Sequence, residues 1–216
     1  DQEIELAKEN KVEPVPVIFA IDALAVIVSD EVPVDQISLD DLTGIYTGKI
    51  TSWKAMGGPD RPITCFGRSE GSGTYKYVQQ EILGEAYSPD MVNLETNDDI
   101  LEKVKRTPNS IGYIGLGFVA DEERQVVPGI KVLSILGEDG YPSSPLQTSD
   151  IQANRYPLIR PLFQYLNGQP NKKTSDFVNF ILSREGQKIV SRSGYYPISP
   201  AYRVLNNQRI QLALNN

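Results

Sequence analysis

Ile63-Thr64-Cys65-Phe66-Gly67-Arg68-Ser69-Glu70-Gly71-Ser72-Gly73-Thr74 passes from an apolar strand signature, through a turn dense in glycine and hydroxyls, into the start of a helix. Tyr75, Val78 and Ile82 then recur at helical spacing. A helix beginning near Ser72 presents free N–H groups and about half an elementary charge of positive potential. The glycines let the backbone approach a ligand closely, and Arg68 adds a planar fork matched to two oxygens of a tetrahedral anion. The segment reads as an oxyanion cradle, for which phosphate is the first ligand to consider. The alternative is an ordinary surface turn with Arg68 in an ion pair. Two nucleotide motifs are excluded. A Walker loop needs Lys before its last Ser or Thr, where Gly73 precedes Thr74, and the dinucleotide fingerprint needs a glycine at Lys76.

Working outward, Val15 to Val28 is a strongly β-like apolar run, as in a strand buried on both faces. Asp22 interrupts it, and is expected to cap a turn between two strands or, alternatively, to face a ligand cleft. Ser38 is expected to cap a helix carrying Leu42, Ile45 and Tyr46, and Asn97 one carrying Ile100, Leu101 and Val104. Asp98 and Asp99 supply first-turn charge to the latter. Ile111-Gly112-Tyr113-Ile114-Gly115 is a strand whose glycines leave room for a close neighbour. This alternation indicates an α/β fold.

Further on, Lys131 to Leu136 reads as one strand, Gly137 to Ser149 as a surface loop, and Tyr156 to Leu166 as an edge or crossover strand because of Pro157 and Pro161. Two helices follow, with Phe177, Val178, Ile181 and Leu182 on the first and Ile189 and Val190 on the second. Gly194 stops the second, and Asn206 to Leu214 forms a last helix. Short helical signal is also present from Gln2 to Asn10. Trp53 is expected in the core, and Tyr195 and Tyr196 packing the last helices onto the sheet.

Composition removes most catalytic equipment. The 216 residues contain no histidine, which excludes Ser-His-Asp and Cys-His catalysis and imidazole-based zinc sites. Cys65 is the one cysteine, read as a small core residue, so no intrachain disulfide forms. The net charge of −7 argues against nucleic acid or an anionic membrane as partner. No apolar run reaches the ~20 residues of a membrane span.

Six segments in order resemble one family, the extracytoplasmic phosphate-binding proteins of ABC uptake systems. They are Ala20 to Val28, Leu42 to Trp53, Gly67 to Thr74, Ile111 to Gly117, Tyr156 to Leu162 and Phe180 to Val190. The resemblance implies a two-lobed, periplasmic-binding-protein-like α/β fold of type II, with residues 34–120 as the second lobe and 1–33 plus 121–216 as the first. It implies phosphate held in a cleft between the lobes by Arg68, Ser72, Gly73 and Thr74. Arg68 would clamp two oxygens, Ser72 and Thr74 would donate hydroxyls, and the Gly73 and Thr74 amides would complete the cradle. It further implies a non-catalytic role without cofactor or metal, a membrane permease as partner, and an extracytoplasmic location with a leader or lipid anchor outside this sequence.

One departure stands out. The family's opening strand–helix block, with its Gly-Ser-Thr-like turn and acidic residue, would precede Asp1. That block carries the carboxylate that accepts a proton from hydrogen phosphate and repels sulfate. Truncation, a naturally shortened relative, or a second copy covering the first lobe are the explanations, truncation being preferred. An incomplete first lobe would leave Val26 and Ile27 without neighbours, so self-association or marginal stability is expected. Two further functions are to be weighed. One is a phosphate-handling hydrolase or transferase, with Ser72 or Thr74 as nucleophile and Asp22, Asp98 or Asp99 holding a metal. The other is a ligand-free sensory or adhesive module on the same fold.

Overall fold

A computed structural model describes residues 2–214, with Asp1, Asn215 and Asn216 outside the described residues. In chain order, α1 (Gln2–Glu9) leads to the long strand β1 (Pro14–Ser29), then β2 (Gln36–Ser38) and α2 (Leu39–Tyr46). β3 (Thr64–Arg68), α3 (Gly73–Tyr77), β4 (Val92–Leu94), α4 (Asn97–Arg106) and β5 (Ser110–Gly115) follow. After β6 (Ile130–Val132), β7 (Ser134–Leu136), β8 (Pro142–Ser143) and α5 (Thr148–Gln152) come β9 (Ile159–Asn167), α6 (Lys172–Leu182), α7 (Arg184–Arg192) and α8 (Pro200–Leu214). Two compact units result, one of residues 23–159 and one of 1–22 with 160–216.

In the unit of residues 23–159, β3 lies parallel to both β4 and β5. Parallel neighbours need long crossovers, and here α3 and α4 supply them. The second half of β1 runs antiparallel to β5 from Leu24 opposite Gly115 to Val28 opposite Ile111, and antiparallel to β6 on its other edge. Ala23 to Val28 are fully buried, as a central strand covered on both faces requires. Gly112 permits the helix layer to close down. A Cβ there would stand 2.8 Å from Ile100 Cγ2 and 3.0 Å from Val104 Cγ2 on α4. Gly112→Ala is therefore expected to cost about 1–3 kcal/mol through forced displacement of α4, read from urea midpoints. A second sheet pairs β2 parallel to β7 and β7 antiparallel to β8.

In the other unit, the first half of β1 pairs with β9. Val17, Leu166 and Val178 form a small core, joined by Val15, Leu182 and Ile210. Asn206, fully buried on α8, accepts from Ile18 N at 2.8 Å and donates to Ile18 O at 2.7 Å, so a side-chain amide completes the backbone bonding of β1. Gln187 does similar work, donating to Phe19 O and accepting from Ile198 N.

The compact units part at 22/23 and 159/160, and within residues 23–159 β6 pairs with β1, β7 pairs with β2, and Tyr156 Oη donates to Leu24 O. Several expectations drawn from the sequence change in the structure. Val26 and Ile27 have neighbours on both sides and are fully buried. The exposed apolar residues instead include Phe177, Phe180 and Ile189, each about half exposed. Asp22 neither caps a turn nor breaks the strand. It is ion-paired with Arg160, both Nε and Nη2 donating to Oδ2 at 3.0 and 2.9 Å. Thr96, not Asn97, caps α4, in a capping box with Asp99. Lys131 to Leu136 is two strands parted at Leu133, and the stretch Gly137 to Ser149 contains β8 and the start of α5. Ser38 and Gly194 behave as read, Gly194 with φ 83°, and α3 opens at Gly73, beside the helix start expected near Ser72.

Candidate functional site

β3 and β4 end side by side, Arg68 opposite Leu94. The chain steps outward from β3 to β4 and then back past β3 to β5. In open α/β sheets ligands gather outside the carboxyl ends of strands where the order reverses. The two turns leaving that edge are Ser69–Ser72 and Glu95–Thr96, and Arg68 bridges them.

Ser72 is the N-cap of α3, in extended conformation, its hydroxyl accepting from Thr74 N at 3.1 Å. Ser72 N donates to Ser69 O at 2.9 Å and Ser69 N to Leu94 O at 3.0 Å, so the turn is closed and tied to β4. Beyond Tyr77 the helical path continues as a π-helical segment, Val78–Leu83. Thr74 is buried. Gly71 and Gly73 face open space, with nothing within 4 Å of where a Cβ would stand.

The Arg68 guanidinium donates through Nη2 to Glu95 O at 2.8 Å and through Nη1 to Asn97 Oδ1 at 3.4 Å. Both acceptors are neutral, so among the described residues its positive charge is not matched by an ion pair. Its Nε is buried with no acceptor. The nearby Glu95 carboxylate accepts from Ser69 Oγ at 3.1 Å.

Of the four residues named from sequence, Ser72, Gly73 and Thr74 lie consecutively at the opening of α3, with Arg68 at the end of the preceding strand. The Thr74 amide, expected to meet a ligand, is occupied by Ser72 Oγ. Sequence reading missed the contribution of the second turn. Asn97, taken there for a helix cap, is an Arg68 partner, and a Thr-x-x-Asp box at Thr96 was the available signal. It also missed the tyrosines behind β3. Tyr113 Oη accepts from Arg68 N, and burial raises the pKa of Tyr113, Tyr87 and Tyr46.

Two carboxylates of the hydrolase alternative are otherwise engaged: Asp22 with Arg160, and Asp99 in the capping box of α4. Among the described residues no group of three or more His, Cys, Asp or Glu is placed to hold a metal. Burial pushes the Cys65 thiol up to about 12, which keeps it protonated and unreactive. No helix among the described residues is long and apolar enough to cross a membrane.

Comparison with known proteins bears on this geometry. The curated phosphate-binding protein PstS of Borreliella burgdorferi is 32% identical over 190 residues, covering 84% of this chain and 65% of the relative. The phosphate-binding protein PstS of Bacillus subtilis is 28% identical over 181 residues, covering 83% and 56%. The chain thus spans less than two thirds of the length of either. The crystal structure of a putative phosphate ABC transporter substrate-binding protein from Clostridium perfringens, with bound phosphate, matches at TM-score 0.72 and 28% identity, covering 89% of this chain and 74% of that one. The family model of the PBP superfamily domain matches residues 1–185. By that match and by its α/β fold, the chain belongs to the PBP superfamily.

Proposed function

We propose that this chain binds inorganic phosphate through Arg68, Ser72, Gly73 and Thr74, as part of the substrate-binding component of an ABC phosphate importer. Its task is capture and delivery to a membrane permease outside the cytoplasm, without chemistry on the ligand. The observation that carries this reading is the Arg68 side chain. A buried donor left unpaired costs about 1–3 kcal/mol, more when charged, and the partner that a cationic fork lacks is an oxyanion. The opening of α3 adds the Gly73 amide and the favourable end of the helix dipole. The relatives' names and the bound phosphate of the Clostridium protein agree with the choice of anion. Self-association of the isolated chain has the half-exposed Phe177, Phe180 and Ile189 as its apolar surface.

Calorimetric titration with phosphate tests the site, and Gly73→Ala sharpens it. The added methyl meets no protein atom, and alanine is the better helix residue by up to about 1 kcal/mol. The melting temperature should hold or rise, while phosphate affinity falls about tenfold because the methyl occupies the side from which the anion approaches. Equal affinity in the variant and the parent would remove Gly73 from the site. No phosphate binding by the parent would refute the proposal as a whole.

A further inference from the structure

We infer that Tyr113 and Tyr87 are positioning residues for the anion turn, closing a one-way hydrogen-bond chain from the Arg68 amide to the Tyr75 carbonyl; the inference rests on the phosphate reading of that turn. Both ends of the chain have fixed polarity. Arg68 N can only donate, and it does so to Tyr113 Oη at 3.4 Å, the longest link. Tyr75 O can only accept, and it does so from Tyr87 Oη at 3.2 Å. The two hydroxyls lie 2.8 Å apart. With the hydrogen of Tyr87 committed to Tyr75 O, that of Tyr113 must go to Tyr87 Oη. The order is then Arg68 N–H to Tyr113, Tyr113 to Tyr87, and Tyr87 to Tyr75 C=O.

The local backbone explains why a side chain is needed. The paired register of β3 with β5 ends at Phe66 opposite Gly112, so the Arg68 amide lies beyond the ladder. Tyr113, on β5 and 2% exposed, brings its hydroxyl there. Gly67 makes this approach possible. A Cβ on it would stand 3.0 Å from Tyr113 Oη and 2.6 Å from Met91 Sδ. The rings hold the hydroxyls in place. Tyr87 packs on Tyr75 with centroids 4.5 Å apart, and Tyr46 meets Tyr113 edge-on at 5.2 Å.

The consequence concerns the span from residue 68 to residue 75. Both ends of the cradle, the strand end bearing Arg68 and the first turn of α3, are fixed to one hydrogen-bonded pair behind the sheet. A cradle held before the ligand arrives loses less freedom on binding. Such chains also polarise cooperatively, each hydroxyl being both donor and acceptor.

The test uses Tyr113→Phe and Tyr87→Phe, which remove one oxygen each and keep the rings. Tyr46→Phe is the control. Its hydroxyl is also buried but donates to Phe66 O at 3.1 Å, outside the chain. Phosphate affinity is measured by calorimetry, and amide exchange at Ser69, Ser72 and Thr74 is measured without ligand. Tyr113→Phe and Tyr87→Phe should each weaken binding about five- to twentyfold and speed exchange at those amides. Tyr46→Phe should lower the melting temperature comparably yet leave affinity and exchange near the parent's. If affinity in the two chain variants falls no further than in the control, or exchange is unmoved, the inference is overturned. If the parent ignores phosphate while exchange still rises in the two variants, the brace stands and the phosphate reading fails.

Discussion

Arg68→Ala is expected to lower phosphate affinity by about a hundred- to ten-thousandfold, the larger of the two binding effects predicted for single substitutions in the turn. Two charge-assisted hydrogen bonds from the guanidinium to the anion contribute about 1.5–3 kcal/mol each, and each 1.4 kcal/mol is tenfold in Kd. Stability should change much less. Truncation does remove the bonds to Glu95 O and Asn97 Oδ1, but it also removes the buried, unpartnered Nε. These two effects are of similar size and opposite sign. Arg68→Lys separates charge from geometry. It keeps the cation and loses the fork, so its affinity should fall between parent and alanine variant. Calorimetry for binding and a thermal melt for stability read both. An alanine variant that binds as the parent does would show that the guanidinium does not touch the ligand.

What the sequence made legible was local. The strand–turn–helix at residues 63–77 and the cap at Ser38 follow from a few neighbouring residues, and so does the α/β class. Errors of one residue were also local: Thr96 and Asn97 both suit a cap, and the reciprocal bond to Asp99 decides between them. What could not be read were partners distant in the chain. Asp22 and Arg160 are 138 positions apart, and no spacing rule connects them. Val26 and Ile27 looked exposed only while β5 and β6, which bury them, were unassigned to β1. The tyrosine chain draws on β5, on the loop after the π-helical turn and on α3, so it leaves no pattern at any fixed interval. The cradle residues were readable as a motif. That Arg68 would reach a second turn through a carbonyl and an asparagine was not, since neither acceptor has a sequence signature.

The other large effect concerns stability. Arg160→Met is expected to cost about 3–5 kcal/mol at neutral pH, because it leaves the buried Asp22 carboxylate without its countercharge. Asp22 is only 6% exposed, and the Arg160 side chain supplies both of its charged hydrogen bonds. Burial already outweighs the pull of Arg160 and holds Asp22 above its ordinary 3.8. A carboxyl raised in the folded state stabilises most when protonated. Its contribution is complete below 3.8 and is lost as pH rises through the folded value. Without Arg160 the folded value rises further. The deficit of Arg160→Met should therefore be small in acid, grow with pH, and level off above the new folded pKa. Asp22→Asn should cost less at neutral pH, since the partly exposed guanidinium left behind keeps access to water. Replacing the pair together, Asp22→Leu with Arg160→Met, should recover most of the loss, because no charge then remains buried. Urea unfolding of the three variants from pH 4 to pH 8 reads these orders. A deficit in Arg160→Met that is the same at every pH would assign the cost to lost packing of the arginine stem instead of the stranded carboxylate.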